Sequence, residues 1–379
     1  MNKKEVSEIR KQFSQTNCNI TRIAGCYVDH EKEKKMQTKD AFLSLPEEEA
    51  FKYFEIFKKA LSCGLGKNLI TMGFTNDAEL PDGQQAFLLK LRASKLQDDA
   101  LLNAFYDSVI AHYSFAENYY IILIHGMYDI PGQSTDGQTM EDASDEVYEY
   151  LLCTICPVSL SKPGLSYDAE DNRMQDRIRD WVVDKPDKGF LFPAFTDRTQ
   201  DVHNVLYYTK KTSELQPELV EQVLGAWLPM SSDEQKESFK AVVSDTLAEK
   251  CDFTTVKNIF ENLQETVEDH ADNPEPLVLD KKDMKILFEN SGVPEENMDS
   301  FEQVYDKVAG EKTELIAGNI ADNKKFCVST SDVELKVSPD RTDLLETRMI
   351  DGRPCLVIAL DGTVTVNGIE VRAMSRKEE

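Results

Sequence analysis

Residues 119–124 read Tyr-Tyr-Ile-Ile-Leu-Ile, and no longer unbroken apolar run occurs in the chain. Successive side chains of a strand point to opposite faces. A strand without polar alternation therefore has no face to give to water. Residues 119–128 thus require a strand buried on both sides, inside a sheet flanked by helices. Six residues are far too few to cross a bilayer, which takes about 20.

The rest of the chain supplies that surround. Residues 3–13 read as a helix, followed by a connection carrying Ile20, Ile23 and Tyr27 and a charged Glu-Lys-Glu-Lys-Lys run. Ser44 with Glu47 has the spacing of a capping box, Pro46 is tolerated in a first turn, and three glutamates suit a helix N-terminus. Phe51, Phe54, Phe57 and Leu61 then mark one helix face, and Gly64 and Gly66 a stop. Strands are expected at 68–74, 146–158, 190–195 and 202–209. Helices are expected at 84–96, 98–113, 171–183, 217–228, 232–247 and 253–267, with a second capping-box spacing at Ser231 and Glu234. Residues 268–280 are acidic, carry Pro274 and Pro276 and lack periodicity, which reads as a linker.

Beyond it come helices at 281–290, 296–308 and 313–321, then strands. Asp361-Gly362 and Asn367-Gly368 are type I′ hairpin signatures. Across Asn367-Gly368, Val366 faces Ile369 and Val364 faces Val371 on one side, with Thr365 opposite Glu370 on the other. Asp351-Gly352 offers a third turn with poorer cross-strand pairs. The expected fold class is α+β. A mixed or antiparallel sheet flanked by helices occupies 1–270, and a smaller domain at 271–379 holds helices followed by a β-meander.

Charge narrows the function. The net charge is −26, which opposes binding to phosphate backbones and to anionic membrane surfaces. No nucleic-acid or membrane partner is expected. An acidic surface suits self-repulsion in solution or a basic partner. The eight cysteines are scattered, and the N-terminus has no apolar leader core, so reduced thiols and a cytoplasmic location are expected.

Residues 119–211 concentrate what could carry chemistry. Cys153 and Cys156 form a CxxC, but inside an apparent strand, where residues three apart face opposite ways. No second pair completes a zinc set. Gly64-Leu-Gly66-Lys67-Asn68 departs from a phosphate loop at Leu61, at Asn68 and in following a helix. The histidines lie at no ligand spacing, so no metal or other cofactor is assigned. No serine sits in a nucleophile motif. What remains is a candidate set of His125, Asp129, Arg177, Asp197, Arg198, Asp201 and His203. If neighbouring strands gather them, they supply acid–base or metal-assisted chemistry.

The blocks LLCTICPVSLSKPGLSY (151–167), NRMQDRIRDWVV (172–183) and GFLFPAFTDRTQDVHNVLYYTK (189–210) resemble a bacterial family catalogued as a domain of unknown function, four-three-one-seven. The opening NKKEVSEIRKQF and the GLGKNLITMGF segment share the likeness. The resemblance implies a cytoplasmic bacterial protein of this size and carries over no activity or site residue. The expected role is non-catalytic interaction or regulation, with a metal-dependent hydrolase or phosphoryl-processing enzyme as the alternative. A protein partner or a homodimer through the edge of the 364–371 hairpin is expected.

Overall fold

The apolar run at 119–124 lies inside an eight-stranded antiparallel sheet and is buried along its length. The computed structural model describes residues 1–133, 139–321, 325–360 and 363–371. The chain divides into two units, Met1–Ser232 and Asp233–Glu379. In order, the first contains α1 (Lys3–Lys11), β1 (Ile20–Val28), β2 (Lys34–Ala41), α2 (Glu47–Ala60), β3 (Leu69–Gly73), α3 (Gln84–Ala93) and α4 (Asp99–His112). It continues with β4 (Tyr119–Gln133), β5 (Thr139–Leu160), β6 (Leu165–Asp168), β7 (Arg173–Asp176), β8 (Trp181–Val183), β9 (Lys188–Phe192), β10 (Ala194–Thr196), β11 (Thr199–Asp201) and β12 (Asn204–Thr209).

The sheet order is β2-β1-β4-β5-β9-β12-β3, with β8 added to the far end of β5. Ile121 and Leu123 of β4 pack with Leu88 and Leu91 of α3 and Phe105 and Tyr106 of α4. Ile122 and Ile124 face the other way, toward Ile9 of α1 and Phe54 and Phe57 of α2. The period of two thus feeds two cores from one strand, and each large side chain so buried stabilises by about 1.5–3 kcal/mol. On α2, Phe54 and Phe57 turn inward while Phe51 stays exposed.

Several expectations change. Residues 20–27 are a strand, β1, not a connection. The charged run leads into β2, which closes the sheet's edge. The capping box at Ser44 does not form: Ser44 Oγ donates to the Ala41 carbonyl, and Pro46 takes the cap position of α2 without a side-chain bond. Boxes form instead at Asn2 with Glu5 and at Asp280 with Asp283.

Residues 171–183 are not a helix but β7 and β8. Most of this segment is exposed, so a helix there would have no apolar stripe to bury. Asp168 Oδ1 instead accepts the amides of Glu170 and Asp171, and Asn172 takes φ +46°. These close a turn that pairs β6 with β7. The 217–228 helix contracts to a π-helical turn, Leu219–Leu224, stopped by Gly225 at φ +68°.

The second unit contains α5 (Ser232–Leu247), α6 (Phe253–Asp269), β13 (Val278–Leu279), α7 (Lys281–Asn290), α8 (Glu295–Met298), α9 (Phe301–Val308), β14 (Leu315–Ile316) and α10 (Ala317–Ile320). Then follow β15 (Phe326–Ser329), β16 (Glu334–Val337), β17 (Leu345–Ile350), β18 (Arg353–Ile358), β19 (Val364–Val366) and β20 (Ile369–Val371). Phe239 of α5 makes edge contacts with Phe260 of α6 and Phe288 of α7, at 5.7 and 6.5 Å between centroids. The expected 313–321 helix is a short strand followed by one helical turn. The last strands pair two by two among the described residues. The Asn367-Gly368 hairpin has the expected register, Val364 with Val371 and Val366 with Ile369. Asp351-Gly352 turns the longer β17–β18 hairpin, while Asp361-Gly362 lies outside the described residues. The fold is α+β. No described helix is long and apolar enough to cross a membrane.

Candidate functional site

The seven candidate residues fall into separate groups. His125 lies on β4, on the face shared with Ile121 and Leu123. Asp129 is further along the same strand and exposed. Asp197 and Arg198 form the two-residue turn between β10 and β11, with φ of +51° and +58°. α1, on the opposite face of the sheet from His125, holds that turn. Glu5 Oε1 accepts the Asp197 amide at 2.8 Å, and the Arg198 guanidinium meets Glu8 at 3.1 Å and the Pro131 carbonyl at 3.2 Å. Asp201 accepts from the His203 amide and from Asn204, and His203 Nδ1 pairs with Glu79 at 2.7 Å. Arg177 follows β7, its amide bonded to the Gly164 carbonyl.

His125 does gather partners, though not those the sequence suggested. Its side chain is fully buried. Nε2 stands 2.8 Å from Glu149 Oε1 on β5, and Nδ1 stands 2.6 Å from Thr21 Oγ1 on β1. A carboxylate only accepts, so Nε2 carries the proton and Nδ1 accepts from the threonine hydroxyl. Burial depresses the imidazole pKa below 6.5, against the opposing pull of Glu149. Arg92 of α3 donates to the Glu149 carbonyl and to Gln200. The arrangement holds a neutral histidine across three strands. Thr21, Arg92, Glu149 and Gln200 carry no local motif: strand pairing brings Thr21 and Glu149 to His125, while Arg92 arrives on α3 and binds the Glu149 carbonyl and Gln200.

Cys153 belongs to the core on the α3–α4 side and Cys156 to the core on the α1–α2 side. Both thiols are free. Burial raises both pKa values, that of Cys156 to about 12. Asp29, Glu31 and Glu33 bring three carboxylate oxygens within 4.8 Å of one another. Lys35 bridges Asp29 and Glu33, and Asp29 Oδ1 caps the amides of Glu31 and Glu33. That cluster is accounted for as the closure of the β1–β2 turn.

A ligand-sized cavity lies in the second unit, where the sequence pointed to nothing. It holds about 240 Å³ between α5, α6, β15 and the turn after β16. Phe260, Phe326 and Pro339 form its apolar wall, and Lys236, Lys240 and Lys325 stand at its lining. Glu261 also lines it, but Lys257 and the Thr342 hydroxyl already engage that carboxylate. Lys236 and Lys240, four apart on α5, share a helix face. Lys325 and Pro339 arrive by long-range packing. Lys240 Nζ also pairs with Glu237 on its own helix at 2.7 Å. An apolar wall with lysines along its lining can hold a small anion bearing an apolar body.

No curated protein matches the chain. The family described as Domain of unknown function (DUF4317) matches residues 1–369, and the protein belongs to that family.

Proposed function

We propose that the protein acts by binding rather than by catalysis, and that the cavity of the second unit takes a small carboxylate with an aliphatic body. The observation that carries this reading is the pairing of the Phe260–Phe326–Pro339 wall with three lysines in a chain of net charge −26. At about 240 Å³ the cavity is smaller than sites for drug-sized ligands, roughly 300–1,000 Å³, so the ligand is small. The apolar wall supplies affinity and the ammonium groups orient the carboxylate.

Titration calorimetry with hexanoate, octanoate and octylamine tests it. Affinity should rise about fourfold per methylene along the carboxylate series, and octylamine should not bind. Equal binding of amine and acid, or no dependence on chain length, would refute it. Binding should weaken in K240Q and vanish in F260A/F326A.

A second reading is self-association. Val366 and Ile369 of the last hairpin are exposed, as are Met349 and Leu360, and a lone two-stranded hairpin is marginal in water. Its edge suits pairing with a second copy. Light scattering at high protein concentration should then give a dimer mass, and a monomer mass would exclude a stable one.

A further inference from the structure

A second feature of the charge distribution lies in the first unit and is independent of the cavity above. Arg10 and Lys11 from the last turn of α1, Lys58 and Lys59 from the last turn of α2, and Lys185 from the loop between β8 and β9 line one groove. The groove is open and holds about 820 Å³. Glu55 is the carboxylate that lines it. Among the described residues none of the five cations makes an ion pair. Lys59 Nζ has the Cys63 sulfur at 3.4 Å instead.

The chain carries 69 acidic residues against 43 lysines and arginines, so a cation placed without constraint finds a carboxylate easily. Five cations sharing one groove without such partners repel one another. Helix C-termini attract cations, each end carrying about half a negative charge. That accounts for the basic pair on each helix taken singly. It does not account for two helix ends and Lys185 meeting at one place with a single carboxylate among them.

We propose that this groove binds a compact, multiply charged phosphate, such as a di- or triphosphate group. Arginine offers a planar fork that matches phosphate oxygens, and lysines supply point charges around it. The lining has no aromatic side chain, so no base is stacked there and charge density is what the groove recognises. A long polyanion would have to run on past the groove over a chain of net charge −26. A compact one ends where the groove ends.

The test is titration calorimetry of the full chain with inorganic triphosphate, monophosphate and a single-stranded oligonucleotide, at low and high salt. Triphosphate should saturate one site and bind about tenfold or more tightly than monophosphate, with affinity falling as salt screens the groove. The K58Q/K59Q double variant should lose about tenfold or more in affinity. K336Q, a single charge removed from the second unit, should bind as the unaltered chain does. R10Q/K11Q, on the other helix, should reproduce the loss, and serves if K58Q/K59Q does not fold by circular dichroism. Absence of saturable triphosphate binding, or binding unchanged in both double variants, would overturn the proposal. So would an oligonucleotide that outcompetes triphosphate, since the groove would then serve a nucleic acid.

Discussion

His125 Nε2 lies 2.8 Å from Glu149 Oε1, yet the imidazole is held neutral, because burial outweighs the carboxylate's attraction. In the unfolded chain the same group has its ordinary pKa of 6.5. The unfolded state therefore binds the proton first as pH falls. The stability tied to this neutral form is complete above about pH 6.5 and is lost as pH drops from there toward the lower folded pKa. Unfolding by urea at a series of pH values from 8 to 5 should show this slope, and His125→Gln should flatten it. His125→Ala should cost on the order of 2–4 kcal/mol, from lost packing and the buried partners left behind.

His203 should behave oppositely. Its hydrogen bond to Glu79 raises its pKa, so what it contributes is present below the unfolded pKa and lost as pH rises through the folded one. The pair is exposed and salt should weaken it. An NMR titration should place the His203 midpoint above that of an exposed histidine, and Glu79→Gln should bring it down.

Lys188 is fully buried on β9, with Nζ 2.7 Å from Asp187 Oδ2, and the Tyr113 hydroxyl donates to the same oxygen at 3.0 Å. Removing one ion leaves the other uncompensated. Asp187→Ala alone should cost about 3–5 kcal/mol, whereas D187A/K188M together should cost less than that single change. Denaturant unfolding of the full double-mutant cycle measures the difference. The remaining deficit should reflect the Tyr113 hydroxyl left without its acceptor.

Gly126 lies opposite Tyr150 across β4 and β5. A methyl group built there would come within 2.3 Å of the Tyr150 ring. Gly126→Ala should therefore destabilise by about 1–3 kcal/mol through overpacking, read from the midpoint of chemical denaturation. Tyr150→Leu in the same background should relieve part of that cost.

The thiols should divide by exposure. Cys63, Cys251 and Cys327 are exposed, while Cys26, Cys153 and Cys156 are buried. Burial raises the pKa of Cys26 to about 11 and that of Cys156 to about 12, which suppresses the reactive thiolate. A chromogenic disulfide reagent should modify the first three in the native protein and the last three only on unfolding. A Cys153–Cys156 disulfide found by mass spectrometry after mild oxidation would contradict their placement on opposite faces.

We propose that residues 1–232 fold on their own. α5, α6 and α7 share the ring contacts of Phe239 with Phe260 and Phe288, so a chain ending at 270 would carry α5 and α6 without α7. The 1–232 fragment should unfold in one cooperative transition. The 1–270 fragment tests the boundary suggested by the acidic stretch at 268–280. If it unfolds cooperatively and the shorter one does not, the boundary belongs there.

Local chemistry determined what depends on a few neighbouring residues. The apolar run at 119–124 was enough to demand a strand buried on both faces, because strand periodicity left no side for water. Asn367-Gly368 set its hairpin register through the backbone conformation its turn requires. CxxC in a strand was enough to place two sulfurs on opposite faces. Where local signals competed, tertiary context decided. Residues 171–183 have spacing that a helix could use but no core to bury it against, so they pair as strands. Ile20 to Val28 looks like a connection until β4 offers it a partner. The gathering of Thr21 and Glu149 at His125, of Lys325 with the two α5 lysines at one apolar wall and of five cations at one groove comes from segments remote in sequence. Such contacts follow from sheet pairing and helix docking, which no local spacing encodes.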